Sequence, residues 1–509
     1  MPADAAAGGS AGSVSAPPSS PDGGPDSTTA ADGQEPAPPT PGPAAFSDPT
    51  KVKLPTFPDR TCPVSAGANT AAINAAIETC STMGGGVVSF APGTYNVGSL
   101  HLKSNVKLLL NGATIRGRGG IDPPEPYTTP ISCQDEGHSH WHNALIWGEN
   151  VTNVAIVGPG NLDGGGIDTE LQKMIALKSS SVMLFENLNQ TNTGHFGYLL
   201  TDCHHITMAD LTMRPSRDGV NLVGCTNVNA HDLSITGGPD DAFALKSDCA
   251  IGKPMLTDNI TVTNATLSAS IANAAQLGSE TWGDFQNISW SNIKILGGAK
   301  SGIGIQMNDG GVIKNVSYDN ITMTNTSFPI FISTTSLLRG PTKTPGHAQN
   351  IRIRNVTATN IVTGNGPNPQ NTAIVISGQP GIVHQGIVLE KIKITFPGGG
   401  QRSGDPPEGT TLTTGVRYNP RFITPIPAYG LFVRHARGLE LRDVQFDFRT
   451  PDQRPALIAR DVDGLLLDTF GAEKGSGPTM EMNMVKNLTI KNSAPVPDSM
   501  LPAVDQMSF

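Results

Sequence analysis

Asn227-Val228-Asn229-Ala230-His231-Asp232-Leu233-Ser234-Ile235 is the stretch that decides the fold. A polar residue followed by Val or Ile, and then by alternating polar and apolar side chains, describes a short strand with one buried face. The unit recurs at Asn153-Val154, His205-Ile206, Asn259-Ile260, Asn287-Ile288, Asn315-Val316 and Asn350-Ile351. Subtracting consecutive residue numbers from His205 onward gives steps of 22, 32, 28, 28 and 35 residues. Helical periodicity is nearly absent between the units, so the steps leave no room for crossover helices. Strands of one kind at near-constant spacing, each ended by an Asn or Gly turn, predict an all-β parallel β-helix, a solenoid whose coils bury their apolar faces on one another. A β-propeller or sandwich is disfavoured by the lack of hairpin signals and by unequal turn lengths. The recurring asparagines should stack as a ladder. Most Asn-x-Ser/Thr triplets, at Asn259, Asn287, Asn315, Asn320 and Asn355, are therefore expected to serve strands and turns rather than glycosylation.

Composition fits a solenoid: 58 Gly and 41 Pro in 509 residues, 5% aromatic, and a net charge of −9 that argues against nucleic acid as a partner. Residues 1–48 are Ala, Gly, Ser, Pro and Asp with almost no large apolar side chain, so they cannot bury a core and are expected to form a disordered tail or tether. Residues 49–509 are expected to form a single domain. No apolar run after Met1 reads as a secretory signal, and no stretch is long enough to span a membrane. The tether still suggests an exported, secreted or surface-anchored domain. Ala68 to Thr79 reads as an amphipathic helix capping the first coil, and a Cys62–Cys80 disulfide flanking it would suit export. Cys203 and Cys225, one repeat apart, fit either stacked thiols or a bridge. None of the six cysteines has metal-binding CxxC spacing.

The chemistry concentrates in Gly237-Gly238-Pro239-Asp240-Asp241 and Ser216-Arg217-Asp218-Gly219. Adjacent residues of a regular strand face opposite sides, so Asp240 and Asp241 share a cleft only if the backbone bends. Gly237, Gly238 and Pro239 supply the bend. Asp218 lies 22 residues before Asp240, about one coil away, on the same face. Carboxylates on neighbouring rungs, about 4.8 Å apart, repel one another, so at least one should hold a proton near neutral pH. A protonated and an ionised carboxyl side by side are the parts of a glycosidic acid/base apparatus.

These motifs resemble glycoside hydrolase family 28, the polygalacturonase and pectin-hydrolase family, from about Asn69 to Asp463. Ser216-Arg217-Asp218-Gly219 is similar to its Asn-Thr-Asp-Gly hallmark. Pro239-Asp240-Asp241-Ala242-Phe243-Ala244-Leu245-Lys246-Ser247 is similar to Gly-Asp-Asp-Cys-Ile-Ala-Ile-Lys-Ser. Gly158 to Gly166, Gly278-Ser279-Glu280 and the late run Ile426-Pro427-Ala428-Tyr429-Gly430, with Arg434-His435 and Asp452 to Pro455, agree with the bacterial branch. The resemblance implies a right-handed helix, Asp240 as general acid, Asp218 and Asp241 as the groups that position and deprotonate water, inversion at the anomeric carbon, and no metal or organic cofactor. Two hallmarks depart. Gly-His-Gly falls on Ala272-Asn273-Ala274, and Arg-Ile-Lys on Gly304-Ile305-Gln306, so the cations that would hold a uronate carboxylate are missing while Gln306 can still hydrogen-bond a hydroxyl.

The resulting expectation is an inverting hydrolase of a pectic or related polysaccharide, acting as a monomer, poor on plain polygalacturonate unless Arg217 or Lys300 substitutes for the lost cations. Asn273, Gln306, Lys246, Glu280 and His195 are the candidate substrate contacts, though Glu280 could equally be structural and His195 reads more readily as a structural histidine than as a groove residue. His138, His140 and His142 resemble a metal cluster by composition only, so no metal site is expected. An adhesive or carbohydrate-binding β-helix that has lost catalysis is the alternative, and a polysaccharide lyase the third choice.

Overall fold

The computed structural model describes residues 45–127, 134, 137–340, 344–362, 372–408, 420–494 and 496–509, and Ala45–Phe509 form one compact unit. Most of the proposed tail, residues 1–44, lies outside the described residues. Strands pair in parallel with the strand one coil before and one coil after. Ser181–Thr191, for example, pairs with Thr152–Asp163 below and His204–Arg214 above. A second ladder runs through Lys173–Lys178, Phe196–Thr201, Asp218–Val223, Phe243–Ser247 and Asn273–Thr281. The fold is thus an all-β parallel β-helix. Among the described residues no helix is long and apolar enough to cross a membrane.

The repeat unit is bent, which the alternation alone did not disclose. Val228 and Ala230 point inward, yet the next buried residues are Leu233 and Ile235, one position out of phase with strict alternation. Asp232 sits between them at φ 56°, and this left-handed residue turns the chain and resets the phase. Asn227 at φ 55° makes the preceding bend, so it opens the strand Thr226–Gly238 rather than ending one. Asn and Asp tolerate this backbone because their side chains bond locally. They also pair between coils. Asn259 Nδ2 donates to Asn227 Oδ1 (2.9 Å), Asn315 to Asn287 (3.1 Å) and Asn350 to Asn315 (2.8 Å). Asn292 and Asn320 continue a second ladder, and Asn355 donates to Asp319. Inside, the apolar positions stack coil on coil: Ile206, Val228, Ile260, Ile288, Val316 and Ile351 are all fully buried. Each contributes on the order of 1.5–3 kcal/mol of burial.

Both ends of the stack are covered. The helix Thr70–Thr82 starts at Asn69, whose side chain accepts from the Ala72 amide, and runs three residues beyond the expected end before Gly84 and Gly85 stop it at positive φ. Its Ile73, Ile77 and Cys80 are buried against the first strands, and Cys80 is bonded to Cys62. At the other end Ser499–Ser508 folds back antiparallel on Met480–Lys491 and occupies the last open edge. Residues 46–56 form a strap across the outer face. Ser47 N donates to Ser289 Oγ, Asp48 N to Asn259 Oδ1, and Thr56 N to Asn153 Oδ1.

Candidate active site

The second ladder positions the aspartates. Gly219 N donates to Asp241 O (2.9 Å) and Val220 N to Ala242 O (3.0 Å), while Val220 pairs with Phe243. This register stacks Asp241, not Asp240, directly on Asp218, because the rung step is 23 residues rather than 22. Ala242 N donates to Asn273 O, and Asn273 pairs with Ser301, so Asp218, Asp241, Asn273 and Ser301 form one column. Asp240 precedes the column, at the end of the Gly-Gly-Pro bend. Gly237 lies at φ 86°, and a Cβ on Gly238 would stand 2.6 Å from Pro215 Cγ and 2.9 Å from Arg217 O, so the corner is closed to any larger residue.

One oxygen from each of Asp218, Asp240 and Asp241 lies within 4.8 Å of the others. Asp218 and Asp241 are buried, whereas the Asp240 side chain is 25% exposed and faces the opening. Asn221 Nδ2 donates to Asp218 Oδ2 (3.1 Å). Asp241 Oδ1 accepts from both the backbone and the Nδ2 of Asn273. Ser301 Oγ donates to Asn273 Oδ1 (2.7 Å), which fixes that amide with its donor toward Asp241. Asp240 Oδ1 accepts from Asp241 N. Burial, and then the Asp240 charge, push the Asp218 carboxyl well above the ordinary range against the pull of Lys246 and Arg217. The same two causes raise Asp241, opposed by Lys246, Lys300 and the Asn273 hydrogen bond.

Arg217 sits against the cluster, its Nε 3.6 Å from Asp218 and 3.5 Å from Asp240. Those three carboxylates are the set whose spacing could admit a cation, and the guanidinium already supplies positive charge there. Lys246 and Glu280 line the same cleft and pair with each other at 3.1 Å. Glu280 also takes Arg339 Nη1 at 2.9 Å, and Arg339 Nη2 holds Asp309 at 2.6 Å. Burial alone would raise Glu280, but Lys246 and Arg339 bring it well below its usual range. Asn273, Gln276, Lys300 and Gln306 complete the lining of a cavity of about 70 Å³, room for several waters. Sequence reasoning missed Gln276, which register alone places in the cleft, and Arg339, whose loop joins the site from 59 residues beyond Glu280.

His195 is elsewhere: it is buried, its Nδ1 meets the Glu170 carbonyl, and it is not among the residues lining the cleft. The three loop histidines have separate partners. His138 pairs with Asp248 (2.5 Å), His140 packs on Tyr127, and His142 stacks on Trp147 and reaches Glu149. Cys203 and Cys225 are free, buried thiols. Cys249 is disulfide-bonded. A larger cavity of about 320 Å³ lies in the last coils, but its Arg460 is paired with Asp405 and its His435 with Asp461. Among the described residues, the close cluster of three carboxylates lies in the aspartate cleft rather than in this cavity.

The chain is thus a parallel β-helical protein with clustered carboxylates in a side cleft, and comparison with known proteins gives its family. The sequence profile described as Glycosyl hydrolases family 28 matches residues 91–405, more than half of the chain, and the chain belongs to that family. An endo-polygalacturonase of Pectobacterium carotovorum subsp. carotovorum is 27% identical over 327 residues, covering 57% of this chain and 78% of that protein. A probable polygalacturonase of Vitis vinifera is 26% identical over 283 residues, 50% of this chain and only 57% of the relative. Among solved structures, the family 28 exopolygalacturonase of Yersinia enterocolitica superposes with a TM-score of 0.55 at 16% identity, covering 77% of this chain and 75% of that one. The polygalacturonase of Erwinia carotovora ssp. carotovora superposes with a TM-score of 0.51 at 22% identity, covering 68% and 95%. At such identities the structural likeness speaks for the fold.

Proposed function

We propose that this protein is a right-handed β-helical glycosidase, exported from the cell, that hydrolyses a glycosidic bond of a pectic or related polysaccharide with inversion. The observation that carries the reading is the cluster of two buried carboxyls and one partly exposed carboxyl within mutual reach. Three such groups cannot all ionise, so at neutral pH the cluster holds a proton and at least one negative charge, which are the acid and the base that hydrolysis needs. Asp240, at the opening, is the group placed to pass the proton held by the cluster to the leaving oxygen, and the buried carboxyl that gives up that proton, Asp218 or Asp241, takes one from the bound water as its oxygen attacks the anomeric carbon. Asn273 and Asn221 keep the two buried carboxyls oriented, and Arg217 limits the repulsion among the three. The chain's own carboxylates fill both roles, so no step is routed through a metal or organic cofactor. All these groups come from one chain, and a monomer suffices. The Cys62–Cys80 disulfide supports export.

The second reading, a β-helix that binds glycans without cutting them, draws on the absence of cationic side chains at Gly304 and Gln306. One comparison separates the two. On a panel of pectic and neutral polysaccharides, the parent should release reducing ends, and Asp240→Asn should cut turnover by about 10² to 10⁴-fold while substrate binding persists. Equal turnover by parent and variant removes Asp240 from the mechanism, and binding without any turnover by the parent favours the second reading.

A further inference from the structure

Gln276 and Gln306 each line the cleft, each is 1% exposed, and each leaves one amide atom, Gln276 Oε1 and Gln306 Nε2, with no hydrogen-bond partner. Unpaired polar atoms at buried positions are costly, and two in one cleft point to a partner that arrives from outside the chain. The backbone is shaped around the first of them. Gly304 occupies the rung next to Gln276, and a Cβ there would stand 2.0 Å from Gln276 Oε1 and 2.8 Å from Ser301 Oγ. No side chain fits at 304 unless the glutamine moves, so glycine and glutamine form one unit.

We propose that the Gln276 and Gln306 amides form the floor of a subsite that binds a neutral glycosyl residue through its hydroxyls. The inference rests on the glycosidase reading above and names the substrate class of the same cleft. An acceptor and a donor lining one cleft suit a hydroxyl, which is both. The electrostatics weigh against a uronate at this depth. A substrate carboxylate would join Asp218, Asp240, Asp241 and Glu280, while the cations nearby are committed: Lys246 and Arg339 to Glu280, and Arg217 to Asp218 and Asp240. Lys300 lines the cleft as well, and its charge acts on Asp241. A buried carboxylate without a guanidinium or ammonium of its own is strongly disfavoured.

The test uses two trisaccharides with one linkage, trigalacturonate and the same sugar after its carboxyls are reduced to hydroxymethyl groups. Titration calorimetry on the Asp240→Asn protein at low salt measures binding without turnover. The reduced sugar should bind at least about tenfold more tightly. Gln276→Met and Gln306→Met, close in volume and lacking the amide, should each erase most of that preference without lowering the melting temperature, and Gln306→Lys should shift it toward the acid. Trigalacturonate binding as tightly as the reduced sugar, or no binding of the reduced sugar, overturns the proposal. If the reduced sugar binds as expected but the parent cuts no glycan, the subsite stands and the hydrolase reading falls.

Discussion

Replacing Arg217 with Gln removes a guanidinium in contact with two members of the carboxylate cluster. At the 3.5 Å separation from Asp240, Coulomb's law gives about 4.7 kcal/mol at an effective dielectric of ~20 and about 1.2 kcal/mol at ~80. The Arg217 side chain is 31% exposed, which favours the lower part of that range, roughly 1–3 kcal/mol. At 1.36 kcal/mol per pK unit the cluster should ionise about one to two units higher. Loss of a cation disfavours the charged form of a carboxyl, so the group that must be ionised to act as base becomes competent only at higher pH. The acid limb of the kcat/KM profile should move up by one to two pH units, with activity on that limb reduced about 10- to 100-fold. The alkaline limb should move the same way, leaving activity above the optimum intact or raised. Arg217→Lys, which keeps the charge but not the planar fork, should fall between. The assay is initial reducing-end release from pH 3 to 9 on a substrate that the parent hydrolyses. A fall in rate that is uniform across pH, with both limbs in place, would refute the argument and make Arg217 a substrate contact instead.

Proton NMR of the first product should show the inverted anomer. The nearest cluster oxygens lie within 4.8 Å, whereas whole carboxyl groups are roughly 6.5–9.5 Å apart in inverting enzymes and about 5–5.5 Å in retaining ones, so a retained anomer would move one aspartate from base to nucleophile. Asp218→Asn should abolish turnover yet raise the melting temperature at pH 7. The folded state holds the Asp218 proton more tightly than the unfolded chain does, so the stability tied to this group is fully present below the unfolded pKa, near 3.9, and is lost as pH rises through the folded value. Scanning calorimetry at pH 3 and pH 7 checks it; an equal change at both pH values contradicts the linkage. Cys80→Ser should cost about 3 kcal/mol, from the 18-residue loop that the bond closes, read as a lower denaturant midpoint under oxidising but not reducing conditions.

The solenoid was legible in the chain because its cause is local and repeated. A buried Val or Ile two residues before another apolar side chain, with an Asn that tolerates positive φ beside it, specifies one coil, and six further copies specify the stack. The helical cap and its disulfide were readable for the same reason, since Asn69, Ile73, Ile77 and Cys80 act within one short segment. The aspartates were readable as a group because Gly237-Gly238-Pro239 announces a bend. Their order on the rungs was not. Register is set by the whole ladder, and a single-residue step decided that Asp241 rather than Asp240 stacks on Asp218, leaving Asp240 at the opening. Gln276 was invisible for a similar reason: nothing beside it in sequence marks it, and it enters the cleft only because Gly304 on the next rung leaves it room. Arg339 reaches Glu280 and Asp309 from a later loop, an ion pair that no local pattern encodes. Residue types and short-range spacing determined the fold and the kinds of chemistry available. Burial and distance across rungs, which exist only once the coils have stacked, decided which carboxyls are shut away from solvent and which cations already sit in ion pairs.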